Sequence, residues 1–114
     1  MVIKLVLSLQ YRVSQIILWG FSLGAAISID VAQKMEDLVM LICSCPFTSI
    51  SQCLNSLANP DLKPIENDSF VSYDKVDNVQ CPIIFVHGSD DSTVPILHSE
   101  TLVSRICGVT SNSI

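Results

Sequence analysis

Ile16-Ile17-Leu18-Trp19-Gly20-Phe21-Ser22-Leu23-Gly24-Ala25 is the stretch whose reading decides the fold. Its first part is apolar and rich in branched side chains, so Ile16 to Trp19 reads as a short strand. Gly20 to Gly24 follows the pattern Gly-x-Ser-x-Gly and reads as a sharp turn. Ala25 to about Lys34 then reads as a helix. Ala26, Ile27 and Ala32 favour it or pack, while Asp30, Gln33 and Lys34 can face solvent. Strand, turn and helix in this order have a chemical use. A serine on a tight, strained turn exposes its hydroxyl, and glycines two places to either side let strand and helix approach without Cβ clashes. The helix start aims free N–H groups and a positive dipole end at the same point. Ser22 is therefore the candidate nucleophile, and the Leu23 N–H a candidate oxyanion donor. The competing reading is an ordinary turn in which Ser22 caps the helix.

Downstream, Leu38 to Ser44 reads as a second strand, and Pro46 blocks its continuation. Phe47 to Gln80 holds Pro60, Pro64 and several Asn, Asp and Ser residues. One short helix near Ser49–Leu57 is expected there, and then loop. Cys81-Pro82 leads into a third strand, Ile83 to Val86. Pro95 suits the first turn of a helix over about Ile96 to Ile106, with Arg105 in its last turn and Gly108 just beyond. Upstream, residues 2–13 read as a helix packed beside the first strand. Strands alternating with helices imply an α/β domain with a parallel sheet. In such sheets functional residues collect beyond the carboxyl ends of the strands. That rule points at Gly20–Gly24, Ser44–Ser49 and His87–Pro95.

The last of these segments, His87-Gly88-Ser89-Asp90-Asp91-Ser92-Thr93-Val94-Pro95, carries two adjacent acids. An acid at a strand's carboxyl end can orient a histidine and stabilise it as imidazolium. It can equally be a turn residue or a helix cap, and the two roles can fall one to each aspartate.

Composition narrows the classes. The chain has 114 residues, 49% hydrophobic and only 15% charged, with a mean hydropathy of +0.51. Complete soluble domains usually carry about 25% charged residues. No run approaches the roughly 18 apolar residues of a membrane-spanning helix. The short apolar runs suit strands covered on both faces. Lys4 interrupts the apolar N-terminus, so a secretory leader is a poor reading. A net charge of −5 without a basic cluster excludes a nucleic-acid footprint. Five cysteines form neither a disulfide framework nor a paired zinc motif. Cys43-x-Cys45 reads as a buried strand end. Reduced thiols in a cytoplasmic protein are the simplest account. A nucleotide-binding or flavodoxin-like module is unsupported, since no Gly-rich phosphate loop follows any strand. No cofactor and no metal are implied.

Three segments together resemble the α/β-hydrolase superfamily, in the serine-hydrolase branch with depalmitoylating thioesterases and related membrane-associated esterases. They are Ile16–Ala25, Ser44-Cys45-Pro46-Phe47-Thr48-Ser49, and Val79 to Gly88 continuing through Asp91 and Val94-Pro95. The resemblance covers nearly the whole chain. It implies an α/β-hydrolase fold, Ser22 as nucleophile and Asp91, rather than Asp90, as the triad acid. It implies a small-molecule or lipid-acyl ester or thioester as substrate, with a peptidase as the nearest rival. Membrane association then belongs to a longer parent protein.

The chain departs from the family pattern. The family's histidine follows a further strand, whereas His87 sits in the His-Gly turn and His98 at a position the family does not use for catalysis. The loop that supplies a second oxyanion donor has no counterpart before Ile16. The sequence thus reads as a partial α/β-hydrolase domain over residues 1–114, inactive alone. The alternative is a non-catalytic hydrolase-like fragment or interaction module.

Overall fold

The computed structural model describes residues 2–57 and 63–108. Three short branched runs form one all-parallel sheet. The central strand β2 (Met40–Ser44) pairs with β1 (Ile17–Phe21) on one side and β3 (Ile83–Val86) on the other. The register sets Gly20 beside Cys43 and Phe21 beside Ser44, then Ser44 beside Val86. All three strands therefore end on one edge, as a parallel sheet with crossover helices requires.

Helix α2 (Leu23–Ala32) follows β1 and lies against the sheet through Ala25, Ile29 and Ala32, while Ala26 packs on Phe47 and Val94. Small alanines let the helix axis come close to the strands. Leu41 and Cys43 of β2 meet this face, and Val76 and Leu102 complete a fully buried cluster. Leu102 comes from α5 (Leu97–Cys107), which ends at Gly108 in the left-handed conformation glycine favours. The opposite face carries Ile17, Trp19, Phe21, Ile84 and Val86, and among the described residues it is open: Trp19 is 72% exposed and Phe21 68%.

Several element boundaries differ from the sequence reading. The turn expected at Gly20–Gly24 shrinks to Ser22 alone, because Gly20 and Phe21 still pair with β2 and the helix already starts at Leu23. Ile27, expected to pack, is 47% exposed. Asp30 does more than face solvent: it pairs with Lys34 and with Lys75, each at 2.9 Å. The upstream helix α1 is shorter than expected (Val2–Ser8) and buries no residue, so it does not pack as a core helix. Gln10 at φ +70° breaks it, and a 3₁₀ turn over Val13–Gln15 leads into β1. Helix α3 (Ile50–Leu57) falls where it was expected. The stretch read as loop beyond it holds a further short helix, α4 (Ser72–Lys75), and a 3₁₀ turn over Val76–Asn78. The part of that loop around Pro60, and residues 109–114 at the C-terminus, lie outside the described residues.

The two glycines of the turn are not equivalent. A Cβ on Gly20 would lie 2.2 Å from the Gly24 carbonyl oxygen and 2.6 Å from the Ala25 Cα, whereas a Cβ on Gly24 meets nothing within 4 Å. The clash expected at both positions exists only at Gly20. Gly20→Ala is expected to destabilise the fold by about 3 kcal/mol or more, since backbone rather than a side-chain tip must move. Gly24→Ala is expected to be neutral or to stabilise by up to about 1 kcal/mol, because alanine is the better helix residue. Urea-unfolding midpoints of the two variants check this contrast.

Candidate active site at the carboxyl edge of the sheet

Ser22 stands where β1 turns into α2. Its backbone is at φ +52°, ψ −114°, a conformation costly for any residue with a Cβ. Three hydrogen bonds hold it there. The Ser22 N–H donates to the Ser44 carbonyl at 2.9 Å, and the Ser22 carbonyl accepts from Ala25 N–H at 3.0 Å and Ala26 N–H at 3.4 Å. The side chain makes no capping hydrogen bond. A serine kept for capping would use its hydroxyl on the helix N–H groups, so the ordinary-cap reading fails. Leu23 and Gly24 are the first residues of the helix, and their N–H groups have no intrahelical acceptor. Both therefore remain available beside the Ser22 hydroxyl.

Asp91 lies two strands away, on the loop that leaves β3. One carboxylate oxygen, Oδ1, accepts from the Thr93 and Val94 N–H groups, each at 2.9 Å. The other, Oδ2, is 3.5 Å from His87 Nε2. The Val94 N–H holds the carboxyl below the usual carboxylate range. The Thr93 N–H, Cys45 and His87 act in the same direction against partial burial. Asp91 thus stays ionised near neutrality. Asp90 is exposed and makes no side-chain hydrogen bond among the described residues. Of the two aspartates, it is Asp91 that takes the turn role, with Oδ1 on the Thr93 and Val94 N–H groups and Oδ2 towards His87.

His87 is engaged at both nitrogens. Nε2 lies 2.6 Å from the Val94 carbonyl, so Nε2–H donates, and Nδ1 accepts the Ser99 hydroxyl at 2.6 Å. Its side chain is 3% exposed. His98 is fixed too. The Thr48 N–H donates to its Nδ1 at 3.1 Å, so Nε2 carries the proton and faces Ser56 Oγ at 3.3 Å. Burial, and secondarily His87, lowers its pKa, which keeps it neutral. It lines a cavity of about 490 Å³ with Thr48, Ser49, Gln52, Ser56 and Tyr73 among others. Ser22 is not part of that lining. Neither histidine offers an unprotonated Nε2 to a serine.

Ser22 and Leu23 end the first strand, Ser44 and Cys45 the second, and Asp91 follows the third. Two strand spacings of roughly 4.8 Å separate the serine from the acid side, a gap an imidazole can span. The middle of this edge is the Ser44–Ser49 segment to which the sequence points, though the sequence assigns Cys45 no role there. Cys45 adopts φ +49° and donates its N–H to the Val86 carbonyl at 2.8 Å. Its sulfur lies within 4.8 Å of ligand atoms of both His87 and Asp91. A lone cysteine before a proline carries no motif that announces this. Phe47, two residues on, is core. It is 4% exposed and packs with Ala26 and Val94.

A family model described as serine hydrolase (FSH1) matches residues 12–112. The chain belongs to this serine hydrolase family. It is 34% identical over 92 residues to the alpha/beta hydrolase domain-containing protein aho-3 of Caenorhabditis elegans, covering 80% of this chain and 26% of that protein. It is 30% identical over 95 residues to the human alpha/beta hydrolase domain-containing protein 17B, covering 82% of this chain and 31% of that one. The chain thus spans about a quarter to a third of these relatives. Among solved structures it is similar to a puromycin-hydrolyzing peptidase of Mycobacterium tuberculosis, with a TM-score of 0.77 at 12% identity, covering 93% of this chain and 18% of that one. It is also similar to an esterase domain from Rhodothermus marinus, with a TM-score of 0.62 at 21% identity, covering 78% and 43%. These structural likenesses establish the α/β-hydrolase fold. For this serine hydrolase family member, no helix among the described residues is long and apolar enough to cross a membrane.

Strain at Ser22 is directly measurable. Ser22→Gly removes the Cβ that makes φ +52° costly. It is expected to stabilise by up to about 1 kcal/mol after the looser unfolded chain is allowed for. Ser22→Ala keeps the Cβ and is expected to change stability by less than about 0.5 kcal/mol. Thermal melts of the two variants side by side check the ordering.

Proposed function

We propose that this serine hydrolase acts on esters or thioesters through an acyl-serine intermediate. The observation that carries the reading is the strained, uncapped Ser22 beside the Leu23 and Gly24 N–H groups, which have no backbone acceptor among the described residues. Ser22 Oγ attacks the acyl carbon while an imidazole takes its proton. The carbonyl oxygen becomes an oxyanion that the Leu23 N–H stabilises. The alcohol or thiol then leaves with that proton, and water deacylates the serine by the reverse relay. Asp91 orients the imidazole through Oδ2. Both histidines of the chain hold their Nε2 protons in other contacts, so the base comes from outside these residues. Phe21 and Leu23, 68% and 47% exposed, provide an apolar wall beside the serine that suits an acyl chain. All five cysteines are free thiols, which suits a cytoplasmic setting. Association with a membrane surface fits an acyl-chain substrate.

A second reading, a non-catalytic binding module, is favoured by the open sheet face of Ile17, Trp19 and Phe21. Exposed apolar area of this kind marks contact surfaces.

The test compares a p-nitrophenyl acyl ester, an acyl thioester and an aminoacyl amide on the whole protein that contains this chain. Ester and thioester turnover should exceed amide turnover, and Ser22→Ala should lower kcat by about a thousandfold or more. The 114-residue chain alone should give only background rates, because its serine has no base. Turnover by this chain alone that disappears with Ser22→Ala contradicts the mechanism. Amide turnover exceeding that of both esters moves the reading to a peptidase.

A further inference from the structure

The cavity beside His98 plays no part in the chemistry at Ser22. It lies between α3 and the start of α5, with Val71 and Tyr73 of the α4 segment as a third wall. Its volume of about 490 Å³ is within the range of roughly 300–1,000 Å³ usual for small-molecule sites. Neither Ser22 nor Asp91 lines it, and among the described residues no Lys, Arg, Asp or Glu does. The polar part of the lining is made of hydroxyls, the Gln52 amide and the His98 imidazole.

Hydrogen bonds inside the protein fix what these groups can offer. A carbonyl oxygen or an unprotonated ring nitrogen only accepts, so a hydroxyl that faces one must donate. The Thr101 hydroxyl donates to the Leu97 carbonyl at 2.7 Å, and the Ser56 hydroxyl to the Gln52 carbonyl at 2.9 Å. His98 Nδ1 accepts the Thr48 N–H, so it carries no proton, and the Thr48 hydroxyl at 3.1 Å donates to it as well. His98 Nε2–H in turn faces Ser56 Oγ at 3.3 Å. Three hydroxyl protons are thereby committed within the protein. Thr48, Ser56 and Thr101 are left with lone pairs alone for a ligand. The Ser49 hydroxyl accepts the Gln52 N–H at 3.1 Å and keeps its own proton to donate, and the Gln52 amide can do both.

The complement of this lining is a molecule with several O–H donors. It is neutral, because an anion would meet lone pairs and a cation would find no carboxylate to balance it. It has an apolar face too, since Val71, Pro95 and Leu97 share the lining. A sugar ring joins a rim of hydroxyls to a face of C–H groups. We propose that this cavity is a binding site for a neutral, hydroxyl-rich molecule of monosaccharide size, held by the lone pairs of Thr48, Ser56 and Thr101. The site is separate from the serine chemistry and does not depend on it.

Methyl glucoside is the probe, titrated into the whole protein that contains this chain and followed by saturation-transfer NMR. Acetate and methylammonium are the charged controls. The glucoside should bind, and neither control should bind as tightly. Thr101→Val keeps the side-chain shape and removes the acceptor, so it should weaken binding about fivefold. Thr101→Ser keeps the oxygen and should bind as the parent does, which separates a lost acceptor from a disturbed helix. Gln52→Leu, on α3, should also weaken binding about fivefold. Ser22→Ala should bind the glucoside unchanged. The proposal is overturned by absent glucoside binding, by equal loss in Thr101→Ser and Thr101→Val, or by tighter binding of either charged control. Loss of binding in Ser22→Ala overturns it too, since the sugar then sits at the serine. Ester turnover in Ser22→Ala is read independently, so the hydrolase reading and this one fail separately.

Discussion

The contact on which the rest depends is the one between Gly20 and the Gly24–Ala25 backbone. Only a residue without a Cβ lets the last turn of β1 lie that close to the first turn of α2, since an added Cβ would sit 2.2 Å from the Gly24 carbonyl oxygen. The closeness leaves a single residue, Ser22, to reverse the chain. That is why Ser22 takes a strained backbone and why its hydroxyl stands clear of the helix it precedes. The cost of order 1–3 kcal/mol for such a residue is offset by the buried contacts of Ala25, Ile29 and Ala32 on the sheet.

The central strand joins this turn to the acid side. Ser44 accepts the Ser22 N–H, and Cys45 donates to Val86, so the edge of the sheet is a continuous set of backbone bonds. Asp91 is fixed by its own loop, and that loop by His87, whose two nitrogens tie the end of β3 to Val94 and to Ser99 of α5. His98 does the same for the Thr48 segment after β2. Both histidines hold the loops that present the site. The chemistry of acyl transfer needs an imidazole with an open nitrogen, and these two have none to give.

Much of this was legible in the sequence because it rests on local chemistry. Branched runs ended by Gly, Pro or a Gly-Ser-Gly turn mark the strands, and Gly108 after Arg105 marks the end of α5. The Ser22 turn could be placed because its pattern, context and glycine spacing agree. What could not be read depends on contacts between distant segments. Val76 is fully buried, yet it sits in a polar stretch with no periodicity, so α4 and the turn after it were taken for loop. The pairing of Lys75 with Asp30 spans 45 positions and leaves no local trace. The exposure of Ile27, Trp19 and Phe21 was unreadable for a related reason. Apolar residues in a parallel-sheet pattern signal cover on both faces, and only the coordinates reveal which face the described residues cover. Cys45 could be placed at a strand end from its Cys43-x-Cys45 spacing and Pro46, but its φ of +49° and its nearness to Asp91 could not be read.

The central claim is that Ser22 is an activated nucleophile rather than a turn residue. A fluorophosphonate probe tests it most directly, because it reacts covalently with serines that have a working base and oxyanion site. The whole protein should gain a single adduct, and peptide mass spectrometry should place it on Ser22, with none formed in Ser22→Ala. An adduct on another serine, or no adduct in a folded protein that hydrolyses esters, contradicts the account.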